Sequence, residues 1–321
     1  MNASSAAATP TPESRSRAAA SAGQRFRGVV VPLATPLAAI DTLDFAGLER
    51  LVEHVIDGGV DAIFLLGTTG EGPSLSHATQ REVVRRVTRQ AGNRVPVLVG
   101  ITDPSFAESV SLADWAAREG AAAVVAAPPY YFPAAQAALV DWTRELAERV
   151  PLPLVLYNIP EMTKSGFAID TLRALADCPN IVGLKDSSDD MAYFAEAVAL
   201  ARELRPDWTV LVGPEIRVPE AHALGGQGVV PGGGNVCPRL FADLQAAVER
   251  GDAAEVKSLH DRVGTLGELY TVGTLPGRVV VGIKTALEEL GICSALTATP
   301  LERLAGDQRR QVREILARLG T

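Results

Sequence analysis

The stretch Asn180 to Asp190, NIVGLKDSSDD, decides how the chain is read. Its apolar run, Ile181-Val182-Gly183-Leu184, is continuous rather than alternating, the pattern of a strand covered on both faces in a parallel sheet. The run ends on Lys185, one of only four lysines (with Lys164, Lys257 and Lys284) among 30 basic residues. The acids and hydroxyls behind it read as the start of the next helix. Seven further runs have the same character: Gly28–Leu33, Ala62–Leu66, Val97–Ile101, Ala123–Ala126, Leu154–Tyr157, Thr209–Val212 and Gly228–Val230. Amphipathic segments lie between them, among them Asp44–Asp57, Ser76–Gln90, Ser105–Glu119 and Ala134–Arg149. Ser76 and Asp103-Pro104-Ser105 are helix-start signals. All but the last pair of successive runs are roughly 25 to 35 residues apart, the length of one βα unit.

Eight such units predict an α/β fold, a (β/α)8 barrel. An open doubly wound sheet would carry a G-x-G-x-x-G fingerprint after its first strand, and VVVPLATPL has none. Apolar periodicity continues past the eighth unit at Ala253–Leu269, Pro276–Leu290 and Pro300–Leu319. These predict three additional helices packed on the barrel. The expected organisation is therefore an Ala/Ser-rich disordered extension over 1–24, a catalytic barrel over 25–250 and a helical extension over 251–321.

Composition excludes several classes. The net charge is -8 and no basic run is present, which argues against nucleic-acid partners. No apolar stretch reaches membrane-spanning length, and the Ala/Ser/Pro-rich start has no hydrophobic block for a secretory signal. A transit peptide is the weaker reading of that start, because Glu13 is present and no amphipathic face is evident. The three cysteines (Cys178, Cys237, Cys293) are odd in number and widely spaced, and the four histidines show no metal-ligand spacing. A cytoplasmic protein working on a small molecule is expected.

Chemistry in such barrels sits at the C-terminal ends of the strands. The second run ends in LLGTTGEGPSLS, where Thr68 and Thr69 offer hydroxyl and amide donors suited to a carboxylate. The alternative there is a self-capping Thr/Gly turn. The fourth run leads to APPYYFPAA, in which Tyr130 and Tyr131 cannot both face a site. The fifth ends in LYNIPEMTKSG, placing Tyr157 at the mouth, where a phenol can relay protons. On the sixth stands Lys185. Desolvation penalises an ammonium, and a neutral lysine amine attacks ketones to give an iminium that stabilises a neighbouring carbanion. Surface pairing with Asp186, Asp189 or Asp190 is the competing reading. The last two ends, VGPE and VVPGGGNVCP, offer Glu215 and a glycine-rich turn read as a backbone-lined wall rather than a phosphate site.

Taken together, GTTGE, PYYF, YNIP and GLKDSS, in this order and spacing, resemble the dihydrodipicolinate synthase / N-acetylneuraminate lyase family of Schiff-base (β/α)8 enzymes, over roughly Phe26 to Leu319. The resemblance implies that Lys185 forms a Schiff base with C2 of pyruvate or another 2-oxo acid, and that Tyr157 shuttles protons. It implies that Thr68 links Tyr157 to Tyr131, which in this family reaches a neighbouring subunit's site. Thr68 and Thr69 would hold the oxo acid's carboxylate, and Gly213 and Val230 would line the pocket. It further implies a homotetramer built as a dimer of dimers, needing neither metal nor organic cofactor.

Two departures bear on the second substrate. Where the family's dihydrodipicolinate synthases carry an arginine that clamps that substrate's carboxylate, this chain has Met162, and a thioether makes no bidentate clamp. Lys164, two residues on, is a conceivable substitute. Where the sialic-acid lyases have an acidic pair and a serine, this chain has Glu215 followed by Ile216, and Gly232. The expectation is a lyase or aldolase whose partner substrate is neither aspartate semialdehyde nor sialic acid, with a 2-oxo-3-deoxy sugar acid as the leading adduct. Dihydrodipicolinate synthesis, dehydration through the same iminium, a non-catalytic ligand-binding paralogue and a phosphate-binding barrel isomerase are the alternatives.

Overall fold

A computed structural model describes residues 26–273 and 277–321; the extension expected over 1–24 lies outside the described residues. Eight parallel strands close into a barrel: β1 (Gly28–Pro32), β2 (Ala62–Leu65), β3 (Val97–Gly100), β4 (Ala123–Ala126), β5 (Leu154–Asn158), β6 (Ile181–Asp186), β7 (Thr209–Val212) and β8 (Gly228–Val229). Each pairs with the next, and β8 pairs with β1. A short hairpin, Leu37–Ala39 with Thr42–Leu43, follows β1 and has no counterpart in the sequence reading.

The helices around the barrel are α1 (Phe45–Asp57), α2 (His77–Ala91), α3 (Phe106–Arg118), α4 (Gln136–Arg149), the single turn α5 (Pro160–Thr163) and α6 (Ile169–Leu175). They continue with α7 (Met191–Leu204), α8 (Val218–Leu224) and α9 (Pro238–Arg250). Local chemistry sets their starts. Asp44, Ser76, Ser105 and Asp190 each accept a hydrogen bond from a first-turn amide, of Gly47, Thr79, Glu108 and both Ala192 and Tyr193 respectively. Capping of this kind satisfies donors that no carbonyl can reach. Asp190 thus begins a helix, as its position behind β6 suggested.

Two apolar clusters separate inside from outside. The smaller draws side chains from all around the barrel, including Val30, Phe64, Leu98, Val125, Val155, Val182, Leu211 and Val230, and fills its interior. The larger packs the outer strand faces, such as those of Leu154, Leu156, Ile181 and Leu184, against the helices. All three cysteines are buried free thiols, pushed up by that burial to about 11 for Cys178 and Cys237 and about 12 for Cys293. They are core residues of low reactivity. Among the described residues, no helix is long and apolar enough to cross a membrane.

Three helices follow α9: α10 (Ala253–Gly267), α11 (Arg278–Glu289) and α12 (Gly306–Leu319). They are tied to the barrel mouth by a buried ion pair. Lys284 of α11 lies 2.5 Å from Glu71, in the loop after β2, with both side chains sealed from water. The second carboxylate oxygen of Glu71 accepts from the amide of Ala298 at 2.6 Å. Glu71 itself holds a left-handed backbone, φ 55°, a cost that persists only where surrounding contacts enforce it.

Removing one partner of a buried pair strands the other's charge, at a cost of about 3–5 kcal/mol. Glu71→Gln and Lys284→Met should each lower stability by that order, read from urea-unfolding midpoints. The double change Glu71→Met with Lys284→Met should cost less than either single one, since it leaves no unpaired charge.

Candidate active site

The direction in which Lys185 points is set by an irregularity in β6. Leu154 of β5 pairs with Ile181, but the next residue, Val155, pairs with Gly183, so Val182 is an extra residue in the strand. Side chains alternate faces along a strand, and Ile181 faces the outer layer. Strict alternation would place Lys185 on that outer face too. The extra residue shifts the parity. Beyond it Leu184 pairs with outward Leu156, while Lys185 pairs with Tyr157 on one side and Leu211 on the other, both interior residues. Gly183 makes this possible: a Cβ there would lie 2.4 Å from the backbone carbonyl oxygen of Thr209.

Lys185 is 5% exposed, and its Nζ lies 3.9 Å from the ring centroid of Tyr157 and 5.0 Å from that of Phe64. These faces hold a cation without ion-pairing it. None of the three following acids pairs with it. Asp186 accepts from Asn158 and Ser188, Asp189 binds Arg217, and Asp190 caps α7. Burial raises the carboxyl of Asp186 above the usual range.

The hydroxyls of Thr68 and Tyr157 lie 3.3 Å apart, within hydrogen-bonding distance. A cavity of about 540 Å³ opens over this group and is lined by Thr68, Thr69, Tyr157, Lys185, Gly213 and Val230. Six residues singled out from five different segments of sequence therefore share one cavity, of a size that takes a small molecule. A shallow groove of about 880 Å³ on the outer faces of α1 and α2, between Phe45 and Arg89, contains none of the strand ends.

Tyr131 stands apart. It does not line this cavity; it is 73% exposed, with its ring edge-on to that of Phe132 at 4.9 Å. Lys164 is also outside: its Nζ donates to the carbonyl of Glu161, and the residue is exposed. Met162 does line the cavity, so the missing guanidinium is missing from the site itself. The glycine-rich turn after β8 is a wall. Asn235, fully buried, accepts from the amide of Ala34 and donates to the carbonyls of Pro32 and Gly232, stitching that turn to the end of β1.

Sequence reasoning missed what the C-terminal helices contribute. Tyr270 and Arg278, from either side of the start of α11, line the same cavity. Tyr270 donates its hydroxyl hydrogen to Glu215, which also accepts from the amide of Gly233 at 3.2 Å. Desolvation pushes the Glu215 carboxyl up to about 7, against the opposing pull of those two donors. No spacing signal in the sequence joins positions this far apart. Among the described residues, no group of three or more His, Cys, Asp or Glu side chains is placed to hold a metal ion.

A closed barrel with a buried lysine and a tyrosine paired on adjacent strands fits a lyase of the class I aldolase type. Comparison with known proteins agrees and narrows it. Residues 25–319 match the model of the dihydrodipicolinate synthetase family, and the chain belongs to that family. It is 34% identical to the 4-hydroxy-tetrahydrodipicolinate synthase of Thiobacillus denitrificans over 287 residues, which are 89% of this chain and 95% of that protein. Among solved structures it resembles dihydrodipicolinate synthase from Bacteroides thetaiotaomicron, with 43% identity and a TM-score of 0.87, over 91% of this chain and 98% of that one. It equally resembles YagE, a prophage protein of the family from E. coli K12 solved in complex with pyruvate, with 30% identity and a TM-score of 0.87, over 92% of this chain and 99% of that one.

Two outcomes are expected from this geometry. Gly183→Ala should destabilise the fold by about 1–3 kcal/mol, since the backbone of β6 or β7 must move to admit the methyl group; urea unfolding measures it. Glu215 in the folded protein keeps its proton up to about pH 7, above the range in which an unfolded carboxyl loses it. The folded state then binds more protons through that window, so stability falls as pH rises from about 5 towards 7. Glu215→Gln should flatten that part of the pH profile of the thermal midpoint.

Proposed function

We propose that Lys185 forms the Schiff base with C2 of pyruvate or a related 2-oxo acid, and that the enzyme makes or breaks a carbon–carbon bond at C3. The observation that carries the reading is the pairing of Tyr157 with Lys185 across β5 and β6, with the Thr68 hydroxyl beside the phenol. The neutral amine attacks the ketone carbon, forming a C–N bond; the carbinolamine then loses water as Tyr157 supplies the proton for the departing hydroxyl. Loss of a proton from C3 gives the enamine, which attacks an aldehyde carbon in condensation and is regenerated in cleavage. Thr68 and Thr69 hold the carboxylate of the oxo acid, against a wall formed by Gly213 and Val230. The pyruvate complex of YagE supports the choice of oxo acid.

Three related readings of the partner substrate share this enamine. Aspartate semialdehyde, which the names of the synthase relatives favour, would meet Met162 where the family's synthases present arginine. Another aldol adduct of pyruvate, a class that includes the 2-oxo-3-deoxy sugar acids, is the preferred reading. Dehydration is a third outcome of the same enamine. Tyr131, exposed in its own chain, suits the family's arrangement in which this tyrosine enters a neighbouring subunit's site, within a cytoplasmic tetramer made as a dimer of dimers.

Borohydride reduction in the presence of pyruvate tests the proposal. Peptide mapping should place a stable pyruvate adduct on Lys185, and Lys185→Ala should give none. Tyr157→Phe should slow adduct formation about 100- to 10,000-fold, the usual contribution of a positioned proton carrier. Folded wild-type protein that traps no pyruvate at Lys185 would overturn the mechanism.

A further inference from the structure

The cavity over Lys185 holds one cation that the chemistry above leaves unused. Among the described residues that line it, only Lys185 and Arg278 are cationic. Arg278 has no ion-pair or hydrogen-bond partner among the described residues. The two carboxylates in the same lining do not pair with it. Glu215 is taken by Tyr270 and the amide of Gly233, and Glu161 forms no ion pair among the described residues. We propose that Arg278 determines specificity at the far end of the substrate, receiving a carboxylate on the aldehyde partner. The aldol adduct is then a short 2-oxo acid with a carboxylate at each end, one held near Thr68 and Thr69 and the other by Arg278.

Three features of the site fit this assignment. A guanidinium stays charged at any working pH and presents parallel N–H donors matched to a carboxylate, which the thioether of Met162 does not. Its base is rigid: Arg278 opens α11, and the same helix is pinned through Lys284 to Glu71, two residues beyond Thr69. The backbone that carries Arg278 is therefore tied to the loop of Thr68 and Thr69 through a buried ion pair. Val279 and Val280, also in the lining, belong to the same first turn, whose amides lack helical carbonyl partners and whose dipole favours an anion. Finally, burial pushes the one enclosed carboxyl nearby, Glu215, up to about 7, so that below this pH it is largely neutral and repels an incoming acid little.

The inference rests on the Schiff-base reading, so its test separates the two. Full-length wild type and Arg278→Ala and Arg278→Lys variants would be assayed for condensation of pyruvate with glyoxylate and aspartate semialdehyde, which carry a carboxylate, and with glycolaldehyde and glyceraldehyde, which do not. Borohydride trapping of pyruvate alone would be run on each protein. The expected result is a wild-type preference in kcat/KM for an acidic aldehyde over its neutral counterpart. Arg278→Ala should lose about 10- to 100-fold of that preference, the scale of a charge-assisted pair, chiefly through KM for the aldehyde. Lysine should restore part of it, and trapping of pyruvate should persist in every variant. Wild type that favours neutral aldehydes, or an Arg278→Ala variant that traps pyruvate and keeps the full preference, overturns the assignment. Wild type that traps no pyruvate overturns the Schiff-base reading beneath it.

Discussion

The extra residue in β6 is the constraint on which the site depends. Lys185 faces the barrel interior because Val182 interrupts the alternation and Gly183 lets β7 come within contact distance of the bare backbone. With regular pleating, the same lysine would lie among the aliphatic side chains between barrel and helices. Its amine would then be remote from Tyr157 and walled off from substrate. A parity change of one residue thus turns Lys185 from the helix layer to the cavity, and neighbouring backbone packing holds it in place.

The second determinant is the way the C-terminal helices close over the barrel mouth. Burying a lysine and a glutamate together is expensive in desolvation, and an apolar pair of similar volume would often be as stable. What the Glu71–Lys284 pair contributes is a defined relation between two elements distant in sequence. Glu71 belongs to the loop that presents Thr68 and Thr69, while Lys284 belongs to the helix that presents Arg278. The Ala298 amide, bound to the other oxygen of Glu71, extends the tie to the segment before α12. The cavity is therefore a joint product of barrel and extension.

The charges inside the cavity are arranged asymmetrically. The two cations have no acid partners, Lys185 being held by ring faces and Arg278 by nothing among the described residues. Of the two carboxyls in the lining, Glu161 is exposed, and the enclosed Glu215 is pushed up to about 7 by desolvation while a phenol and an amide satisfy it. Such a site attracts anions and leaves no internal salt bridge to be broken when one arrives. That distribution suits a substrate more acidic than a neutral sugar.

The sequence by itself determined the barrel and most of its mouth. Continuous apolar runs are visible because both faces of a parallel strand are buried, and all eight predicted strands agree with those observed to within a residue at either end. Lys185, Tyr157, Thr68 and Thr69 were legible because chemistry in this architecture is confined to strand ends, where a polar residue after an apolar run stands out. The hairpin after β1 was not legible, since strands of two and three residues have too few positions to show a period. Only the tertiary structure decided the rest. It decided that Val182 is bulged, that Lys164 turns away, and that Glu71 finds Lys284 across 213 positions. It also placed Tyr270 and Arg278 in the lining of the cavity that Lys185 shares. Periodicity reports which face of a segment is buried, whereas these features depend on which distant segment buries it, and local sequence contains no record of that partner.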